Sequence, residues 1–242
     1  METRIDRVIV TGAGSGIGLD VARRFLAEGS CVVLNGRDKA KLERAAAALG
    51  AGDRVALVAG DVGELATAKR LADVAHDRFG GVDVLVNNAG IFGTKPFLES
   101  SEEDLDRYYT TNVKGTFLVT QAVVPAMIEA GGGAIINVGT VLVGQAMTTM
   151  PVSAAMASKG GVHALTVSLA AELARHRIRV NTLAPGIIRT PLIEDADALA
   201  GIHPLGRVGE VDEISDAVLF LATAGFVTGT ILEVDGGYAH AR

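Results

Sequence analysis

The stretch Arg7-Val8-Ile9-Val10-Thr11-Gly12-Ala13-Gly14-Ser15-Gly16-Ile17-Gly18 constrains the fold more than any other part of the chain. An apolar run leads into four glycines, and Leu19, Val21, Ala22, Phe25 and Leu26 then recur at helical spacing. This order predicts a strand, a tight turn and a helix. Glycines serve such a turn because they adopt positive φ and, lacking Cβ, let a ligand approach the backbone. The opening of the helix aims unpaired N–H groups and a positive dipole end at the turn, which suits a phosphate. Glycines alone also fit a purely structural turn. A second strand at Cys31–Asn35 supplies the context of a dinucleotide-binding unit.

The spacing is Thr-Gly-x-x-x-Gly-x-Gly, carried by Thr11, Gly12, Gly16 and Gly18. In this form the turn resembles that of the short-chain dehydrogenase/reductase family. Further along, Asp61-Val62 after a third strand (Arg54–Ala59) is similar to the family's adenine-contacting pair, although an Asp there also fits a helix cap. Asn87-Asn88-Ala89-Gly90, after a strand at Val82–Val86, resembles a second family signature that steadies the sheet and lines the cofactor pocket; an ordinary Asn/Gly turn is its plainer reading. Pro185-Gly186-Ile187-Ile188-Arg189-Thr190-Pro191 resembles the segment whose backbone at Ile188 and hydroxyl at Thr190 meet the nicotinamide amide and the phosphates. Asp235-Gly236-Gly237 closes a match running from about Arg7 to Tyr238.

The resemblance implies one α/β domain over residues 1–242, of Rossmann type, doubly wound, with a seven-stranded parallel sheet. Helices are expected at Lys39–Leu49, Leu65–Phe79, from Ser100 or Ser101 through Asn112, at Met150–His176 and at Val211–Thr223, with last strands at Ala134–Val138, Ile178–Leu183 and Thr230–Val234. Glu102, Glu103 and Asp104 read as structural acids at a helix start. Small residues on the long helix (Ala154, Ala155, Ala157, Gly160, Gly161, Ala164) match the face that packs against a second subunit in the family, implying a homotetramer. Leu192–Ile202 corresponds to a short substrate lid, with Glu194, Asp195 and Asp197 expected as a solvated face.

The family's proton donor is a Tyr, with a Lys four residues later and a Ser at the end of the fifth strand. Lys159 aligns within Ala157-Ser158-Lys159, and the residue four before it is Ala155. The Ser position holds Thr140, which keeps a hydroxyl on a stiffer side chain. Asn112 matches the Asn that holds a relay water in the family, or is a buried, satisfied Asn. The chain's three tyrosines, Tyr108, Tyr109 and Tyr238, all lie outside the Ala155 segment. A general acid contributes on the order of 10²–10⁴-fold, about 3–5 kcal/mol of barrier. Three readings follow: an oxidoreductase whose donor is Thr140, Ser153, Lys159 or a water; a dinucleotide-binding protein without turnover, acting as a sensor or structural subunit; or a chain from which the Tyr was removed. His163, one turn beyond Lys159, fits a packing or interface role or a proton relay.

Cofactor choice turns on the end of the second strand, where the acid that would bind a ribose 2′-hydroxyl is replaced by Gly36 and followed by Arg37. A guanidinium there suits a 2′-phosphate, which favours NADP over NAD. Asp38 next door allows Arg37 to be a loop cap instead, and Ser15 stands in the glycine turn where many NADPH-using relatives carry a basic residue. The expected cofactor contacts are Gly12, Ser15, Gly16, Ile17, Gly18, Arg37, Asp61, Val62, Asn88, Ala89, Gly90, Lys159, Pro185, Gly186, Ile188 and Thr190.

With a net charge of −6, the chain is a poor fit to nucleic acid or an anionic membrane. The single cysteine, Cys31, is expected to be a small buried hydrophobe. The first strand within seven residues leaves no room for a signal peptide, no apolar run spans a bilayer, and a cytoplasmic location is expected. The histidines have no metal-ligand spacing. The resemblance implies a small carbonyl or alcohol as substrate, whose identity the apolar lid and pocket wall do not specify.

Overall fold

Seven parallel strands pair in the order β3-β2-β1-β4-β5-β6-β7 in the computed structural model, which describes residues 5–145, 150–193 and 195–240. The strands are β1 (Arg7–Val10), β2 (Cys31–Gly36), β3 (Val55–Ala59), β4 (Val84–Asn87), β5 (Gly133–Val138), β6 (Ile178–Pro185) and β7 (Ile231–Val234). The helices are α1 (Gly16–Ala27), α2 (Lys39–Leu49), α3 (Leu65–Phe79), α4 (Glu102–Tyr108), α5 (Gly115–Glu129), α6 (Ser153–Leu173) and α7 (Val211–Thr223). This is a doubly wound Rossmann-type α/β sheet. The order reverses between β1 and β4, and in open α/β sheets the crevice at such a reversal is where ligands bind.

Strand alternation divides the core. Val8, Val10, Val32, Leu34, Val84, Val86, Ala134 and Ile136 face one side, against Val21, Ala22 and Phe25 of α1, Leu42 of α2 and Ile214, Val218 and Leu221 of α7. Ile9, Val33, Leu85, Ile135 and Val180 face the other, against Leu71 of α3, Val119, Val123 and Met127 of α5 and Leu173 of α6. Burial on both faces is why the strands read as continuous apolar runs without polar alternation.

Local chemistry sets the helix ends. Asp38 caps α2 by accepting the Lys41 N–H at 3.0 Å, and Gly50 and Gly80 end α2 and α3 in left-handed backbone. Ser101 and Asp104 form a reciprocal capping box on α4, so the acids expected to be structural are so at Asp104, whose carboxyl Lys95 and Ser101 hold well below its usual range.

Several expected boundaries shift. Gly36 ends β2 instead of following it, Arg54 lies in a 3₁₀ turn before β3, and β4 starts at Val84. The helix expected over Met150–His176 begins at Ser153 and ends in a 3₁₀ turn, Ala174–His176. The helix expected through Asn112 is interrupted by a π-helical segment, Tyr109–Lys114, between α4 and α5. Cys31 is half-buried, because it opens a strand at the rim of the sheet. Asp195 and Asp197 are exposed, as expected of a solvated face; Asp197 also pairs with Arg189 at 2.6 Å, and Asp195 accepts from the Ala198 N–H. Glu194 lies outside the described residues. On α6, Ala155 is buried within the chain and Gly161 faces Val113, so the small-residue stripe is partly spent inside the protomer.

Candidate active site

The glycine turn is clamped from the adjacent strand. Thr11 Oγ1 accepts the backbone N–H groups of Asn88 and Ala89, each at 3.0 Å. Asn88 Nδ2 donates to the carbonyls of Thr11 at 3.0 Å and Gly12 at 3.2 Å. The glycines make this closeness possible. At Gly12, with φ +65°, a Cβ would lie 2.9 Å from Ala89 Cα, and at Gly18 it would lie 2.5 Å from the Gly12 oxygen. Ser15 precedes α1 without a side-chain cap, and no acid sits in the first turn. The N–H groups opening α1 at Gly16, Ile17 and Gly18 therefore keep their capacity for an anion, and the turn fits a dinucleotide pyrophosphate.

Around that turn stand the other expected contacts. Arg37 is exposed just past β2, and Asp38 is committed to its helix cap. Asp61 folds its own turn, accepting the Gly63 N–H at 2.8 Å, while Glu64 holds the cap position of α3. Val62 is buried against Gly115. On the far side Pro185 ends β6, and the Gly186 N–H donates to Val234 O at 3.0 Å. Ile188 is buried, and the Thr190 methyl would touch a Cβ on Gly16 at 3.4 Å. The segment after β6 thus folds back to the mouth of the glycine turn.

The polar centre lies where β4, β5, the π-helical segment and α6 meet. Asn112 is buried and fully engaged: its Oδ1 accepts the Ile91 N–H at 2.8 Å, and its Nδ2 donates to Ile91 O at 3.0 Å and Ser158 Oγ at 2.8 Å. Ser158 Oγ in turn donates to the Ala155 carbonyl at 2.7 Å. Lys159 is half-buried as a residue, with its ammonium enclosed and donating to Val138 O at 2.7 Å. Burial pushes that ammonium down to about 8. Gly90 is interposed, since a Cβ there would lie 3.1 Å from both Asn112 Oδ1 and Lys159 Nζ. Thr140 Oγ1 accepts the Leu142 N–H at 3.3 Å, at the start of a 3₁₀ turn after β5.

Two histidines, one beside this centre and one at the ends of β6 and β7, carry more than their sequence suggests. His163 is buried with Nε2 unpartnered, and burial, then the Lys159 cation, push its imidazole down to about 4. A Cβ at Gly139 would overlap that ring and lie 2.7 Å from Thr182 Cγ2. His203 links three segments: its Nδ1 lies 2.6 Å from Asp235 O, and the Ile187 N–H donates to its Nε2 at 3.3 Å. That pairing makes Nδ1 the protonated nitrogen of a neutral ring.

Residues 6–199 match the family described as short chain dehydrogenase. The chain belongs to the short-chain dehydrogenase family. It is 42% identical over 238 residues to galactitol 2-dehydrogenase (L-tagatose-forming) from Cereibacter sphaeroides, covering 95% of this chain and 93% of that one. The 3-ketoacyl-(acyl-carrier-protein) reductase from Brucella melitensis, solved with NADH, superposes with a TM-score of 0.92 at 35% identity over 97% of this chain and 98% of that one. L-Sorbose reductase from Gluconobacter frateurii, solved with NADPH and L-sorbose, gives 0.92 at 30% identity over 100% of both chains. This short-chain dehydrogenase is an NAD(P)-dependent oxidoreductase of alcohols and carbonyls. None of its described helices is long and apolar enough to cross a membrane.

For a short-chain dehydrogenase the polar centre has one further neighbour that spacing alone concealed. Tyr108, forty-odd positions from Ala155 in sequence, lines the same cavity of about 140 Å³. Its place four residues before Asn112, on one helical face, was the available signal. No comparable signal points to His203, a lone histidine in a 3₁₀-rich loop.

Proposed function

We propose that the chain is an NADP(H)-dependent dehydrogenase/reductase interconverting a small polar carbonyl compound and its alcohol, with Ala155 where the family carries its Tyr. The observation that carries this reading is the Lys159 ammonium, enclosed and bonded to Val138 O beside Asn112 and Gly90. Burying a cation is costly, so its retention there supports a site still built around the dinucleotide.

Gly12, Ser15, Gly16, Ile17 and Gly18 would hold the pyrophosphate, and Arg37 the 2′-phosphate. Asp61, Val62, Asn88, Ala89 and Gly90 would border the adenosine and the centre, and Pro185, Gly186, Ile188 and Thr190 the nicotinamide side. A dinucleotide held by these residues would supply hydride chemistry at the substrate carbon. Lys159 orients the ribose and lends positive charge where oxygen becomes anionic. Thr140 offers its hydroxyl to the substrate oxygen, and Asn112 holds Ile91 and Ser158 in place. The substrate class is suggested by the polyol and sugar relatives, the galactitol dehydrogenase and the sorbose reductase. Assembly as a homotetramer through α5, α6 and β7 belongs to the same proposal.

Ala155 itself favours a second reading, a dinucleotide-binding protein without turnover. NADPH consumption with L-sorbose and other ketoses and with 3-ketoacyl thioesters, and NADP⁺ reduction with galactitol, separate the two when run beside Ala155→Tyr. Turnover by the parent supports the oxidoreductase. Turnover by the Tyr variant alone, with NADPH bound by both, supports the binding role.

A further inference from the structure

We propose that Tyr108 supplies the proton that residue 155 does not, through water in the cavity between Tyr108 and Ala155. This rests on the oxidoreductase reading above. The cavity is bounded by Phe92, Gly93, Lys95, Tyr108 and Ala155, and its volume of about 140 Å³ holds several waters. Its lining also includes Ser100, Arg107 and the Lys95–Asp104 ion pair, polar residues that suit water.

The Tyr108 phenol is suited to a relay. The residue is only 5% exposed, so its ring is held in place by packing. Its hydroxyl reaches the loop after β4, where a Cβ at Gly93 would lie 2.6 Å from it. Among the described residues that hydroxyl has no hydrogen-bond partner, so its proton is not committed to a structural bond. Ala155 lines the same cavity, and one turn further along the same face of α6 comes Lys159. The Ala155 carbonyl is already tied to Ser158, and through Ser158 to Asn112. Ala155 thus belongs both to the cavity lining and, through its carbonyl, to the hydrogen-bond chain of the polar centre.

The step balances. In the reducing direction the carbonyl carbon gains the hydride that the established activity supplies, and the C=O electron pair moves onto oxygen. That oxygen takes a proton from a cavity water, the water takes the Tyr108 hydroxyl proton, and the phenolate is reprotonated from solvent along the Lys95–Arg107 rim. Oxidation runs the same path backwards.

Tyr108→Phe tests this, because it removes only the oxygen and breaks no protein hydrogen bond. The expected result is unchanged thermal stability and NADPH affinity, with kcat on the best panel substrate lowered about 100-fold and its pH profile altered. The double variant Ala155→Tyr/Tyr108→Phe is expected to equal Ala155→Tyr, since a phenol at 155 makes the relay redundant. A readout independent of turnover is a crystal structure of the ligand-free protein, expected to hold ordered waters running from Tyr108 Oη past Ala155 to Lys159. An active parent with kcat within twofold in Tyr108→Phe overturns the relay alone, as does a dry or closed cavity. A parent that binds NADPH but turns over nothing on the panel overturns the oxidoreductase reading, and the relay with it.

Discussion

Acidification exposes the cost of His163. The ring is enclosed, its Nε2 has no partner, and the Lys159 cation sits one turn away on α6. Both effects disfavour the imidazolium and bring the folded-state pKa to about 4, against 6.5 for the free side chain. The unfolded chain therefore binds the proton first as pH falls, so stability drops through the window between 6.5 and 4 and is fully present above it. At 1.36 kcal/mol per pH unit, the linkage is worth about 2 kcal/mol by pH 5 and about 3 kcal/mol by pH 4. The assay is urea unfolding of the parent and His163→Leu at pH 7 and pH 5, at one fixed protein concentration. The parent is expected to lose about 2 kcal/mol more than the variant between those two pH values. Taking the difference of differences removes any packing effect of Leu and the carboxylates common to both chains. Equal losses in the two proteins would refute the claim that His163 is buried neutral in the native state.

Three other perturbations probe the frame of the site. Gly139→Ala places a methyl against the His163 ring and Thr182; it is expected to cost about 1–3 kcal/mol by overpacking and to lower turnover by displacing Thr140, read by unfolding and steady-state rates. His203→Ala leaves the Ile187 N–H and Asp235 carbonyl without their shared partner, and a loss of about 1.4 kcal/mol would weaken NADPH binding tenfold, measured by fluorescence titration. Arg37→Asp is expected to reverse the coenzyme preference towards NADH, with the ratio of kcat/KM for the two coenzymes as its readout.

Much of the scaffold was legible because it depends on local pattern. Helices α2, α3 and α7 coincide with their expected bounds, since Asp38 and the Glu210–Glu213 capping box mark the starts of α2 and α7 and left-handed Gly50 and Gly80 the ends of α2 and α3. Strand ends were less legible: β6 continues through Ala184 and Pro185 because its neighbour β7 pairs with them, a partner that no local signal reveals. The π-helical turn at Asn112 escaped for a similar reason, as its side-chain bonds to Ile91 and Ser158 are tertiary. Asp197 is solvated as read, but its ion pair with Arg189 was not legible, because the two lie eight positions apart across an irregular loop.

From sequence alone came the dinucleotide fold, the glycine turn and the spacing of Ala155 from Lys159, because each is written in spacing along the chain. Tertiary structure alone decided what surrounds them. It set Asn88 as the clamp on the glycine turn, enclosed the Lys159 ammonium, left His163 Nε2 unpartnered, and brought Tyr108 and Ala155 to one cavity. Backbone propensity and apolar period are properties of neighbours in sequence. Desolvation and hydrogen-bond partnership depend on which distant residues share a volume, and only packing determines that.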